Sequence, residues 1–261
     1  MSHRMPFRSR GGLVVPAVTA SRMREVDRIA VEDFGLGVLQ MMENAGRNLA
    51  ENAIAMLGGA PRPKELEHGE WATILAGSGG NGGGGLCCAR HLHNRGLKVL
   101  VVLSKEARDV TGPAAVQLHI LQGAGVEPVK PHEAEEAIRR AALVIDALIG
   151  YSLRGGAPRG RVAELIDLCN THAEHVLSLD LPSGLDATTG EAPGVMVRAE
   201  RTLTLALPKT GLECVPGELY LADIGIPPQV YKRLGLRFSW PSRARYCIPL
   251  KTVAASPGAE E

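Results

Sequence analysis

Two aspartates give the first sign of chemistry, because each interrupts an apolar run. Asp146 lies in Val144-Ile145-Asp146-Ala147-Leu148-Ile149-Gly150, and Tyr151-Ser152-Leu153-Arg154-Gly155-Gly156 follows it. Asp180 lies in Leu179-Asp180-Leu181-Pro182-Ser183-Gly184-Leu185-Asp186. A carboxylate inside a buried strand is unfavourable unless it is paired or bound to a cation. Asp146 therefore reads as a site residue, and the glycine-rich stretch after it as a wrap for a phosphate or a nicotinamide edge. The plainer alternative is a carboxylate that caps N–H groups of its own loop. Asp180 reads as a proton acceptor or a partner for a hydroxyl, with the Ser183 oxygen close behind it. Asp186 reads as a turn or cap residue. Asp146, Asp180, Ser183 and Asn81 offer oxygens without Cys or His companions, which suits a hard cation rather than zinc.

The second sign is Gly77-Ser78-Gly79-Gly80-Asn81-Gly82-Gly83-Gly84-Gly85, seven glycines in nine residues. It lies between the apolar run Trp71-Ala72-Thr73-Ile74-Leu75-Ala76 and a helix-like run from Leu86. Ordering glycine is entropically unfavourable, so this density calls for a close backbone approach. A strand–loop–helix order presents free N–H groups at a helix start and suits an anionic phosphate. That reading is favoured over a flexible linker. Gly77-x-Gly79-x-x-Gly82 also matches the dinucleotide fingerprint superficially. A classical dehydrogenase needs an acid at the end of the second strand. Here Lys98–Leu103 ends in Ser104-Lys105, with Glu106 only loosely placed, which disfavours hydride transfer.

The elements that must position these residues follow from periodicity. Met23, Val26, Ile29, Ala30 and Phe34 repeat at helical spacing, with Thr19 or Ser21 as the cap. After Gly35-Leu36-Gly37 a second helix shows Leu39, Met42, Ala45, Leu49, Ala53 and Met56 on one face. Beyond residue 70, strand-like runs fall at 71–76, 98–103, 143–149, 176–181, 202–207 and 219–224. Helix-like segments fall at 86–95, 113–122, 133–142 and 162–170. The strands are apolar without strict alternation, as expected of a parallel sheet covered on both faces. The alternation predicts a right-handed, doubly wound α/β fold in one domain, with ligands at the carboxyl ends of the strands. Residues 1–15 and 246–261 read as tails, the first basic enough for a weak transit peptide but more in keeping with a frayed terminus.

The totals exclude several classes. The chain has 261 residues, and a net charge of +1 gives no electrostatic case for nucleic acid or an anionic membrane. No apolar run approaches the ~20 residues of a membrane span. Five cysteines without a paired spacing fit a reducing, cytoplasmic compartment. His91 and His93 are too close in sequence to share a helix face, so a metal site there is not expected.

With these residues in view, the chain resembles the NAD(P)H-hydrate epimerases, the YjeF N-terminal domain family. The resemblance spans residues 16–235. Thr19-Ala20-Ser21-Arg22-Met23-Arg24-Glu25-Val26-Asp27 is similar to the family's opening T-x-x-x-M-R-x-x-D, and Met42-Glu43-Asn44-Ala45-Gly46 to its M-E-N-A-G. Asp146-Ala147-Leu148-Ile149-Gly150 resembles D-A-L-F-G, and Asp180 to Asp186 resembles D-I-P-S-G-L-D. Pro208-Lys209-Thr210-Gly211-Leu212 and Asp223-Ile224-Gly225-Ile226-Pro227 follow the closing motifs.

The resemblance implies a Rossmann-like three-layer αβα sandwich with two leading helices, often dimeric. It implies interconversion of the R and S forms of hydrated NADH and NADPH (NADHX and NADPHX), cofactors damaged by a hydroxyl at C6 of the nicotinamide. A separate dehydratase would then be the pathway partner. The implied K+ ligands are Asn81, Asp146 and Ser183. The implied substrate-binding positions are Gly80, Asn81, Gly82, Gly83 and Gly84, then Gly150, Tyr151, Ser152, Leu153, Arg154, Gly155 and Gly156, and Asp180. Asp180 is the expected catalytic residue, handling the C6 hydroxyl proton. The chain departs from the family's G-N-N-G-G-D-G loop, with Gly80 in place of the first Asn and Gly84 in place of the Asp. That departure keeps open an alternative, a non-catalytic nucleotide-binding or interaction module of the same fold.

Overall fold

A computed structural model describes residues 7–58, 71–153 and 156–252. Two short strands, β1 (Phe7–Ser9) and β2 (Val14–Val15), precede helix α1 (Ala20–Arg28), which runs on as a π-type turn over Ile29–Asp33. Thr19 caps α1 by accepting the Arg22 N–H at 3.2 Å. Helix α2 (Val38–Met56) follows, then β3 (Trp71–Ala76), α3 (Gly80–His93), β4 (Lys98–Leu103), α4 (Gly112–Gly123), α5 (Ala134–Arg139), β5 (Ala141–Ala147) and α6 (Gly160–His172). The chain continues through β6 (Val176–Leu179), β7 (Arg201–Leu205), β8 (Glu218–Ala222), α7 (Pro228–Arg233) and β9 (Cys247–Thr252).

These nine strands form one sheet in the order β2-β1-β9-β8-β7-β6-β5-β3-β4. The strands from β4 across to β8 are parallel, and β9, β1 and β2 extend that edge antiparallel. From β3 the chain steps outward to β4, then returns to place β5 on the other side of β3. This reversal opens a crevice at the carboxyl ends of β3 and β5, where ligands of such sheets sit.

Helices cover both faces, which explains the unbroken apolar strands. On one face Ala72, Ile74 and Ala76 of β3 pack with Leu49 of α2, Leu86 of α3 and Leu118 of α4. On the other, Leu75 and Val144 pack with Ile138 of α5 and Leu165 and Ile166 of α6. No helix among the described residues is long and apolar enough to cross a membrane.

Two expectations are corrected. The glycine run is not a loop up to Leu86, because α3 begins at Gly80. A Cβ on Gly82 would stand 1.7 Å from the Gly77 carbonyl oxygen, and one on Gly83 would stand 2.5 Å from Met42 Cε. The glycines let the first turns of a helix press against the β3 turn and against α2. That packing outweighs a helical penalty of ~0.5–1 kcal/mol per glycine.

The terminal segments expected as tails are also ordered over residues 7–15 and 247–252. Phe7 pairs with Thr252 and Ser9 with Leu250, and Phe7, Ile248 and Leu250 are buried in one cluster with Val26 and Leu221. Pro249, which sits opposite Tyr220, masks an alternating strand, since proline removes a ladder donor. Residues 1–6 and 253–261 of those tails lie outside the described residues.

Candidate functional site

A cavity of about 310 Å³ lies at the carboxyl ends of the central strands. The two leading helices supply an apolar wall that includes Met23, Val31, Val38, Met41, Met42 and Ala45. The strand ends and the start of α3 supply the polar wall: Asn81, Tyr151, Ser152, Asp180 and Lys209, joined by Asp27 from α1.

Asp180 follows β6 in a left-handed backbone conformation, φ 67°. Leu181 N–H donates to Leu179 O at 2.9 Å, so Asp180 is the centre of a γ-turn, a rare and strained arrangement. Ala206 repeats it after β7, with φ 62° and Leu207 N–H donating to Leu205 O at 2.7 Å. The two adjacent turns aim Asp180 into the cavity. Its Oδ1 accepts from Lys209 Nζ and from Leu205 N–H at 3.2 Å, and its Oδ2 accepts from Tyr151 N–H at 3.2 Å. Asp180 is 3% exposed and Lys209 1%, so each charge depends on the other.

Asp146 ends β5 on the same face as Val144 and is fully buried. Oδ1 accepts from Ser183 Oγ at 2.5 Å and Leu148 N–H at 3.2 Å, and Oδ2 accepts from Ser178 Oγ at 2.7 Å and Ser183 N–H at 2.8 Å. Burial pushes the carboxyl above its ordinary pKa, and those four bonds pull the other way. No ion pair among the described residues reaches it. Asn81 lines the cavity, which Asp146 and Ser183 do not. Its Nδ2 donates to Leu179 O at 3.1 Å, and no hydrogen bond joins it to Asp146 or Ser183. A Cβ on Gly150 would lie 3.1 Å from both Asn81 Oδ1 and Asp180 Oδ2, so glycine keeps the gap between them open. Asp146 and Ser183 are brought together as oxygen donors of the kind a hard cation takes, with the carboxylate buried without a cationic side chain, while Asn81 stands nearer Asp180.

Of the expected substrate positions, Gly80, Asn81, Gly84, Gly150, Tyr151, Ser152 and Asp180 line the cavity. Gly82 and Gly83 turn instead into the packing of α3 against the β3 turn and α2, and Leu153 and Gly156 are not on the cavity wall. Arg154 and Gly155 lie outside the described residues. Sequence reasoning left Lys209 and Asp27 without a role. Lys209 could have been found as a cation placed directly after an apolar strand. Asp27 could have been found as the i+4 neighbour of the core residue Met23. Tyr151 O–H donates to Asp27 Oδ2, and burial raises the Asp27 carboxyl above its usual range, against the Tyr151 bond and the Lys209 charge.

A separate cluster sits between α2 and α3, where Glu43, Cys87 and His91 bring ligand atoms within 4.8 Å of one another. Arg90 donates to Glu43 Oε2 at 2.5 Å, and His91 Nε2 lies 2.8 Å from Oε1. Burial pushes the Cys87 thiol up to about 12. The cluster is an ion-paired staple between two helices, with its carboxylate already engaged.

The sequence profile of the YjeF-related protein N-terminus matches residues 38–211. A protein named NAD(P)H-hydrate epimerase from Dehalogenimonas lykanthroporepellens is 48% identical, covering 94% of this chain and 97% of its own length. One of the same name from Rhodopirellula baltica is 35% identical, covering 86% of this chain and 90% of its own. The "Bifunctional NAD(P)H-hydrate repair enzyme Nnr" of Moorella thermoacetica is 37% identical over 82% of this chain, but only 41% of its own length is matched. The crystal structure of yeast ynu0 superposes with a TM-score of 0.80 at 22% identity, covering 90% of this chain and all of that one, which shows the shared fold.

Proposed function

The chain belongs to the YjeF-related N-terminal family, and from that premise we propose that it interconverts the R and S epimers of hydrated NADH and NADPH in this cavity. The observation that carries the reading is the buried Asp180–Lys209 pair, set by a strained turn into the polar wall of a pocket whose facing wall is apolar. A carboxylate held at a cavity wall by fixed hydrogen bonds is placed to exchange a proton with a bound substrate. Epimerisation needs the C6–O bond to break and re-form. The ring nitrogen's lone pair forms the N1=C6 bond as the oxygen leaves, a proton turns that oxygen into water, and water adds to the other face. Asp180 moves the proton at the C6 oxygen. Lys209 holds the Asp180 carboxylate in place.

K+ would be held by Asn81, Asp146 and Ser183. Bound there, it would neutralise the Asp146 charge and add positive potential beside the polar wall. Free cysteines support a cytoplasmic setting. Phe34, Val38 and Leu39, exposed on the leading segment, support a homodimer. The relatives named bifunctional NAD(P)H-hydrate repair enzymes support a second repair activity acting alongside this one.

The test is an epimer-exchange assay on purified protein with and without K+. Wild type should speed exchange, and Asp180→Ala should slow it by ~100- to 10,000-fold, the range of general acid–base catalysis. A full rate in Asp180→Ala would exclude Asp180 as the group that moves the proton.

A further inference from the structure

The cavity holds a second carboxylate that the role of Asp180 does not use. Asp27, from α1, lines the same cavity, and Tyr151 connects the two acids. The tyrosine backbone N–H donates to Asp180 Oδ2 at 3.2 Å, while its O–H donates to Asp27 Oδ2. The carboxylates are therefore held a tyrosine's length apart along one pocket. Asp27 Oδ1 takes no hydrogen bond from a described residue. Lys209 Nζ lies 5.7 Å from the Tyr151 ring centroid, so the cation paired with Asp180 also stands beside the ring that links the two acids.

Resting on the epimerase reading, we propose that Asp27 and Tyr151 form a second acid–base pair, serving the nicotinamide face turned away from Asp180. The chemistry requires such a pair. Epimerisation removes oxygen from one face of C6 and adds it to the other. On the departing side the C–O pair leaves with oxygen, which takes a proton and becomes water. On the opposite side a water oxygen bonds C6, the N1=C6 pair returns to nitrogen, and that water must lose one proton. A single carboxylate cannot reach both faces of a ring held in one pose. With Asp180 on one side and Asp27 on the other, one gives a proton while the other takes one, and the reverse reaction exchanges their roles. Tyr151 O–H fixes Asp27 Oδ2 and leaves Oδ1 for the substrate.

The groups facing Asp27 set its titration. Lys209 and the Tyr151 bond favour the anion, while Asp180 and burial disfavour it. Arg24 acts on Tyr151, and Tyr231 also feels the Asp27 charge. Burial dominates, so the acid form persists above the ordinary carboxyl range. In the direction where Asp27 donates, the rate falls as pH rises through that raised value.

Epimer exchange by wild type, Tyr151→Phe, Asp27→Asn and the double variant, followed from about pH 5 to pH 9, tests this. General acid–base catalysis predicts kcat losses of ~100-fold or more for Asp27→Asn with KM nearly unchanged. The alkaline limb assigned to Asp27 should be absent in that variant. The double variant should be no slower than Asp27→Asn, because the two act as one unit. Tyr151→Phe keeps the ring and covers the case in which Asp27→Asn does not fold: its kcat should fall and its alkaline limb should move. An active wild type whose foldable variants keep kcat within about twofold and an unmoved profile overturns the second pair alone. An inactive wild type overturns the epimerase reading together with it.

Discussion

Two aspartates end neighbouring strands of one sheet, and the protein treats them in opposite ways. Asp146, near the end of β5, is enclosed by four neutral donors and no cation. Asp180, after β6, is carried out of the strand by a left-handed turn and set against Lys209 at the cavity wall. Both are buried, so burial alone does not mark the reacting group. Charge balance separates them. Asp180 brings its own countercharge and faces the ligand space. Asp146 shapes the turn through Ser183 and has room in its balance for an outside cation.

Breaking the Asp180 pair is the harshest test of this contrast. Lys209→Met leaves a carboxylate 3% exposed without its cation, and removing one member of a buried pair destabilises by ~3–5 kcal/mol. Denaturant unfolding of Lys209→Met should show that loss. Adding Asp180→Asn to the same chain should recover part of it, because a neutral amide does not require the ammonium. A loss below about 1 kcal/mol would mean that solvent reaches Asp180 and the pair is no closer than a surface one.

Asp146→Asn should be milder. The amide keeps one oxygen acceptor but turns an NH2 toward donors that need an acceptor, leaving one of the Ser178 and Ser183 groups unsatisfied. A buried unsatisfied donor costs about 1–3 kcal/mol, and unfolding midpoints would read it. If Asp146→Asn proved as damaging as Lys209→Met, charge balance would not separate the two carboxylates.

The sequence showed the two acids but not this difference between them. Their apolar surroundings made both legible as buried, and the strand–helix alternation made the doubly wound sheet legible, down to the bounds of Trp71–Ala76 and Lys98–Leu103. Hidden was the γ-turn at Asp180, since aspartate tolerates a left-handed φ better than most residues but more often adopts an ordinary one. Lys209 was hidden as a partner because it lies 29 residues further along the chain, brought in only by β7. The glycine run misled for a related reason. Flexibility and close packing both call for glycine, and only the nearness of the Gly77 carbonyl and Met42 to α3 distinguishes them. β9 was obscured by Pro249 and by pairing with a strand at the far end of the chain.

The smallest effect makes the finest distinction. A cation that binds the folded chain alone stabilises it by RT ln(1 + [L]/Kd), ~1.4 kcal/mol at ten times Kd. In a chain of this size that raises the unfolding midpoint by a few degrees. Potassium should give this shift in wild type, and sodium at equal ionic strength a smaller one, since the cation would replace its hydration shell with side-chain oxygens of fixed spacing. In Asp146→Asn the shift should vanish, because the neutral amide no longer supplies the anionic ligand. In Lys209→Met it should persist, because Asp180 is balanced independently of the cation. The reverse pattern, with Asp146→Asn keeping the potassium shift and Lys209→Met losing it, would move the cation to Asp180 and reverse the roles of the two aspartates.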